Sequence, residues 1–204
     1  MDETVRAADA ATMAASTTVG DSARWRPLVT VEKYDDDQVL WVTRKTGILT
    51  PSGADLSQLV RPYETVEAAG NLLTTAGLQR LTNLLIGAGG QALTNTASRL
   101  GVGNSSTAAA VGQTDLQAAA GAANRYFMPM DATYPTAVNG VVTLRSTFAT
   151  GDGNFVWAEW GTDIGTPSVT AGAVVNATLL NRAVQALGTK ASGSWVLTAT
   201  ITIS

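Results

Sequence analysis

The stretch Gly193–Ser204, GSWVLTATITIS, decides the reading of the whole chain. Trp195, Leu197, Ala199, Ile201 and Ile203 fall on one side of an extended backbone. Ser194, Thr198, Thr200, Thr202 and Ser204 fall on the other, with Val196 the single apolar residue among them. Period-two alternation rich in β-branched residues predicts a half-buried strand that completes a sheet. Trp195, Leu197, Ile201 and Ile203 are expected in the core and the threonines on the opposite side.

Working outward, similar segments precede it. Strands are predicted at Trp25–Lys33, Val39–Arg44, Ser98–Gly103, Arg125–Met130, Val141–Ala149, Asn154–Ile164 and Ala177–Leu187. Tyr34-Asp35-Asp36-Asp37 reads as a hairpin turn between the first two, and Asn139-Gly140 and Gly151-Asp152-Gly153-Asn154 are further turn signals. One helix is predicted at about 72–87, with Leu78, Leu81, Leu84 and Leu85 as its apolar stripe and Gly87 beyond its end. Thr114-Asp115-Leu116-Gln117 is expected to start a second, short one. The fold class is mainly β: an antiparallel β-sandwich with one amphipathic helix and an extended N-terminal arm. Three regions follow: an arm at 1–24, a β-hairpin and irregular attachment region at 25–69, and the sandwich at 70–204. The arm has little apolar surface, so Val5 and Met13 are its expected anchors on a neighbouring subunit.

Composition narrows the chemistry. Of 204 residues 45% are hydrophobic and only 14% charged, below the ~25% usual for soluble domains. The surface must therefore be largely uncharged, as in subunits of larger assemblies. A net charge of -3 provides no basic footprint for nucleic acid. The absence of histidine and cysteine removes the commonest general base, the commonest zinc ligands and thiolate nucleophiles. The sequence contains neither a signal-peptide pattern nor an apolar run of the ~20 residues needed to span a membrane. No cofactor and no metal are expected.

Three clusters invite a functional reading. Asp35-Asp36-Asp37 could contribute to a calcium site, but no further acids follow at EF-hand spacing, and a solvated turn explains them. Gly101-x-Gly103-x-x-Ser106 resembles a dinucleotide loop without its third glycine or its βαβ setting. Glu159, between Trp157 and Trp160, could form a glycosidase pair with Asp163. Four residues along a strand separate them by ~13 Å, which is wide for such a pair. The alternative is that Trp157 and Trp160 pack on opposite sheet faces while Glu159 satisfies a buried arginine such as Arg182, or a backbone amide. The tryptophans Trp25, Trp41, Trp157, Trp160 and Trp195 are expected as core and interface anchors rather than a sugar platform.

Residues 70–204 present an ordered series: GNLLTTAGLQRLTNLLIG, SRLGVGNSSTAA, GQTDLQA, FVWAEWGTDIG, LLNRAV and GTKASGSWVLTATITIS. This order resembles a class of tailed-bacteriophage virion proteins that includes tail-collar-fibre proteins and small head or tail proteins. The resemblance implies a structural role without a reaction. It gives Gly101 and Gly103 the part of a tight bend, makes Glu159 and Arg182 a pair, and puts Lys190 before the last strand. The expected function is a non-enzymatic virion protein, decorating or cementing the capsid shell through its arm and sheet edges. The alternatives are a tail, collar or fibre component that binds host glycan, and a glycan-active enzyme. Expected partners are the major capsid protein or tail proteins and further copies of the chain, in a homo-oligomer such as a trimer. Neither nucleic acid nor a membrane is expected as a partner, and the expected location is the virion.

Overall fold

A computed structural model describes residues 25–165 and 178–203. In chain order they form β1 (Trp25–Tyr34), α1 (Asp36–Thr46), α2 (Gly53–Leu59), β2 (Glu64–Ala69), β3 (Leu72–Leu73), α3 (Thr75–Leu85), β4 (Ser98–Gly103), β5 (Arg125–Pro129), β6 (Thr136–Val138), β7 (Val141–Phe148), β8 (Val156–Ile164), β9 (Thr178–Thr189) and β10 (Ser194–Ile203). Two five-stranded sheets result, ordered β2-β1-β10-β7-β6 and β3-β9-β8-β4-β5. Every strand pair is antiparallel. The alternating C-terminal stretch is β10, the middle strand of the first sheet. It pairs with β1 from Trp25↔Ile203 to Tyr34↔Ser194, and with β7 on its other side.

One apolar core joins the sheets. The first contributes Val29, Val31, Leu144, Phe148, Trp195, Leu197 and Ile201, and the second Leu100, Val102, Trp157, Trp160, Leu180 and Leu187. Trp157 stands edge-on to Phe148 and to Trp195, with ring centroids 4.7 and 4.9 Å away. Such contacts add to the ~1.5–3 kcal/mol that burying each large side chain contributes. The expected β10 face is correct for Trp195, Leu197 and Ile201, but Ile203 is 47% exposed because it ends the strand. Val196, on the threonine side, is fully buried by Tyr34, Val42 and Leu56, where α1 and α2 cover that end of the sheet.

Several expectations are corrected. The predicted strand Val39–Arg44 is helix α1, and the predicted hairpin turn is its start. Asp35 is the N-cap, accepting from the Gln38 amide, while the Gln38 side chain accepts from the Asp35 amide. This reciprocal capping box outweighs the β-preference of Val39, Trp41 and Val42. Ser52 and Asp55 repeat the device at α2, in a region expected to be irregular. Residues 25–69 are thus two strands of the first sheet and two helices rather than a β-hairpin attachment region.

The helix expected at 72–87 is α3, and Leu72 and Leu73 instead form β3. Thr74 caps it by accepting from the Gly77 amide. Its predicted stripe is only partly inward, since Leu81 and Leu84 are half-buried while Leu78 and Leu85 are exposed. The closest approach to the sheet is at Gly77, where any Cβ would run into the Leu180 backbone. Asn139 (φ 49°) and Gly140 (φ 78°) make the expected tight hairpin between β6 and β7. No described helix is long and apolar enough to cross a membrane. The arm, with Val5 and Met13, lies outside the described residues.

Ile201→Ala is expected to lower unfolding free energy by ~2–5 kcal/mol through transfer and cavity terms. Ile203→Ala should cost less than ~0.5 kcal/mol. Urea unfolding of both variants checks this assignment, and equal costs would contradict it.

Candidate functional site

The most heavily bonded charged centre is built on the outward face of the second sheet. Glu159 on β8 stands opposite Val184 of β9, and Arg182 is two residues along, so the two side chains share a face. Arg182 Nε donates to Glu159 Oε2 at 2.6 Å, and both residues are essentially inaccessible to water. The remaining groups are occupied as well. Glu159 Oε1 accepts from the Ala118 amide at 2.7 Å and Oε2 from the Gln117 amide at 3.0 Å. Arg182 Nη1 donates to Gln113 Oε1 at 3.0 Å and Nη2 to the Thr107 carbonyl at 2.8 Å. A second pair stands beside it, Arg125 Nη1 to Asp115 Oδ2 at 3.0 Å, with the same nitrogen reaching the Leu116 carbonyl. Together these contacts hold the loop between β4 and β5 flat against the sheet.

The loop fits because the sheet beneath it lacks side chains. Gly101 and Gly103 lie inside β4, not at the bend expected of them, and neither is a phosphate loop. A Cβ on Gly101 would press into Phe127 and Leu116, and one on Gly103 into Glu159 and Ala118. The helix expected from Thr114 does not form. The amides of Gln117 and Ala118 turn instead to the Glu159 carboxylate.

Trp157 and Trp160 do not take opposite faces. A register shift between Trp157 and Glu159 puts both into the same core, fully buried. Their indole N–H groups donate to the Gly153 carbonyl and to Gln185 Oε1, each at 2.8 Å. Trp195 is buried beneath Lys33, whose Nζ sits 4.4 Å from the ring centroid and 3.0 Å from Glu64 Oε2. Trp25 is half-buried against the core and donates to Asn71 Oδ1 at 2.8 Å. Trp41 alone is turned outward, 48% exposed on α1.

The structure does not assemble a carboxylate pair from Glu159 and Asp163. Glu159 accepts from three donors and lines neither of the two cavities described below. Asp163 is buried, and burial pushes its carboxyl up to about 7, with the nearby Asp115 charge adding to the rise. One cavity, of ≈ 240 Å³, lies between Asp35, Tyr63, Thr189, Ser192 and Trp195. Another, of ≈ 350 Å³, is bounded by Ser52, Met128, Asp131, Thr147 and Asp152. Its carboxylates are engaged: Asp131 accepts from the Thr147 amide and hydroxyl, and Asp152 from the Tyr126 hydroxyl and the Ala149 amide. No cluster of three or more metal-ligating side chains occurs among the described residues. Asp35 to Asp37 are the cap and first turn of α1, and Asp36 Oδ1 also accepts from the Gly193 amide at 2.9 Å.

Lys190 is a further engaged charge whose contacts the sequence did not reveal. It is 1% exposed and donates to the Ala149 carbonyl and to Asn154 Oδ1, both at 2.8 Å, fastening the β7–β8 loop to the β9–β10 turn. Burial lowers its ammonium to about 8. The chain matches no family model, no curated protein and no solved structure.

Arg182→Met should leave the Glu159 charge buried without its cation, at a cost of ~3–5 kcal/mol. The Gln117 and Ala118 amides should then exchange hydrogen much faster, and unchanged exchange would disprove the clamp. Asp163 yields a pH test. Its folded pKa of about 7 lies above the unfolded value near 3.9, so the native state holds the extra proton between them. Stability should therefore fall as pH rises from about 4 to 7, by an amount on the order of 4 kcal/mol, and level off above. Asp163→Asn should remove that slope in thermal melts taken across the range.

Proposed function

We propose that this chain is a non-enzymatic structural subunit of a tailed-bacteriophage virion, seated on the capsid shell as a decoration or cement protein. The observation that carries the reading is how its polar chemistry is distributed. The buried Glu159, Arg182 and Lys190 and the partly buried Asp131 are bonded within the fold, where they fix loops rather than face a substrate. Meanwhile a surface low in charge displays large apolar side chains, including Trp41, Leu49, Leu85 and Ile86. Such side chains suit protein contacts. The order of motifs from residue 70 to 204, similar to that of phage head and tail proteins, supports the same setting.

Open sheet edges provide a means of attachment. β2 and β6 end the first sheet, and Thr136, Ala137 and Val138 of β6 are all exposed and uncharged. A neighbouring extended segment can add to such an edge through main-chain hydrogen bonds. A tail, collar or fibre component is the second reading, favoured by the fibre members of the group whose motif order this chain resembles.

Purified particles distinguish the two, since a decoration protein should be present in high copy by gel densitometry and a tail part in low copy. Absence from particles would overturn both. Removing residues 1–24 should shift the melting temperature by less than ~3 °C, because the described core closes without them. The same truncation should weaken binding to particles that lack the protein. Full-strength binding would show that the arm plays no part in attachment.

A further inference from the structure

Helix α1 has one buried residue, Val42, which faces Tyr34, Leu56 and Val196. Leu40 lies on its opposite side and Trp41 on the flank beside Leu40, 45% and 48% exposed. Gly47, at φ 77°, turns the chain out of the helix, and Ile48 and Leu49 follow, the latter 85% exposed. Scattered exposed apolar residues are ordinary, but a tryptophan with three aliphatic neighbours in ten residues is a patch. The charges flanking it are segregated, with Asp36 and Asp37 in the first turn and Arg44 and Lys45 in the last. Asp37, Arg44 and Lys45 are exposed and enter no ion pair among the described residues.

We propose that two copies of this chain associate through their α1 helices, packed antiparallel about a two-fold axis. An axis passing between positions 40 and 41 sets Leu40 against the partner's Trp41, which buries the apolar centre. It sets Asp37 against the partner's Arg44. The same surface is then used twice, as a two-fold interface requires. Antiparallel alignment also places each helix N-terminus beside the other's C-terminus, which favours the two dipoles. A parallel arrangement would place like charges together at both ends, so the charge pattern selects one orientation. With eleven residues, α1 is only ~16 Å long, so even with Ile48 and Leu49 the interface is small, on the scale of weak, transient contacts. The dimer is therefore reversible and concentration-dependent. The proposal does not rest on the virion reading and applies to the isolated protein.

The test is sedimentation equilibrium of the full chain across the micromolar range. The wild type should pass from monomer to dimer. Trp41→Ser and Arg44→Asp should each weaken the dimer about tenfold, and both should fold normally by circular dichroism because the side chains they replace are exposed. Adding Asp37→Arg to Arg44→Asp reverses both partners and should restore affinity to within about threefold of wild type. A monomer at every concentration, a trimer, or a dimer indifferent to Arg44→Asp would overturn the proposal. Loss in the single variant without rescue in the double would overturn the antiparallel arrangement.

Discussion

The Glu159–Arg182 pair sets the condition that the second sheet must meet. Removing a carboxylate and a guanidinium from water costs several kcal/mol for each ion, and their mutual attraction offsets this only when the other lone pairs and protons are also bonded. Here those partners come from far away in sequence: the amides of Gln117 and Ala118, the Gln113 side chain and the Thr107 carbonyl. The loop after β4 must close over the pair. Glycine at 101, 103 and 161 follows from the same demand, since Leu116 and Ala118 need the space that side chains would fill. The pair thus gives the loop one conformation.

The sequence shows the sandwich well where a strand has one wet face. β10 and β7 are read closely from alternation and turn residues, because burial on one side imposes a period of two. It misleads where a local device competes with that period. Val39-Leu40-Trp41-Val42 looks like a strand, yet the Asp35 and Gln38 spacing was a legible capping signal, repeated at Ser52 and Asp55. The shift in β8 that puts Trp157 and Trp160 on one face leaves no mark in the local pattern. At the site, Glu159 and Arg182 can be matched from their chemistry as complementary charges. Their amide partners cannot, because a backbone N–H has no residue-type signature. Asp131 and Lys190 escape for a related reason, as much of their bonding is to main-chain groups at long range.

The two outer faces of the sandwich differ in how they meet solvent. The second sheet is sealed by its own loop and by α3 against β9. The first is covered by α1 and α2 only at the Tyr34–Ser194 end, leaving Thr198, Thr200 and Thr202 half-exposed beyond them. With few charges available, threonine supplies the hydroxyl surface there while keeping the β-branched shape that strands favour. Such a face is hydrated without carrying strong charge repulsion.

The register that joins Trp25 to Ile203 and Tyr34 to Ser194 also has a temporal meaning. Synthesis delivers β1 well before β10, so the first sheet has no centre until all the segments between them have emerged. Closing a loop of that length is slow, and contacts between distant segments come late in folding. Until then β1 is exposed on the side that β10 will occupy, with Val29 and Val31 unburied. Where many copies are made together, that interval is when one nascent chain can accept the β10 strand of another. The tight β1–β10 seam that gives the finished protein its strength therefore makes its assembly sensitive to how many copies are being made side by side.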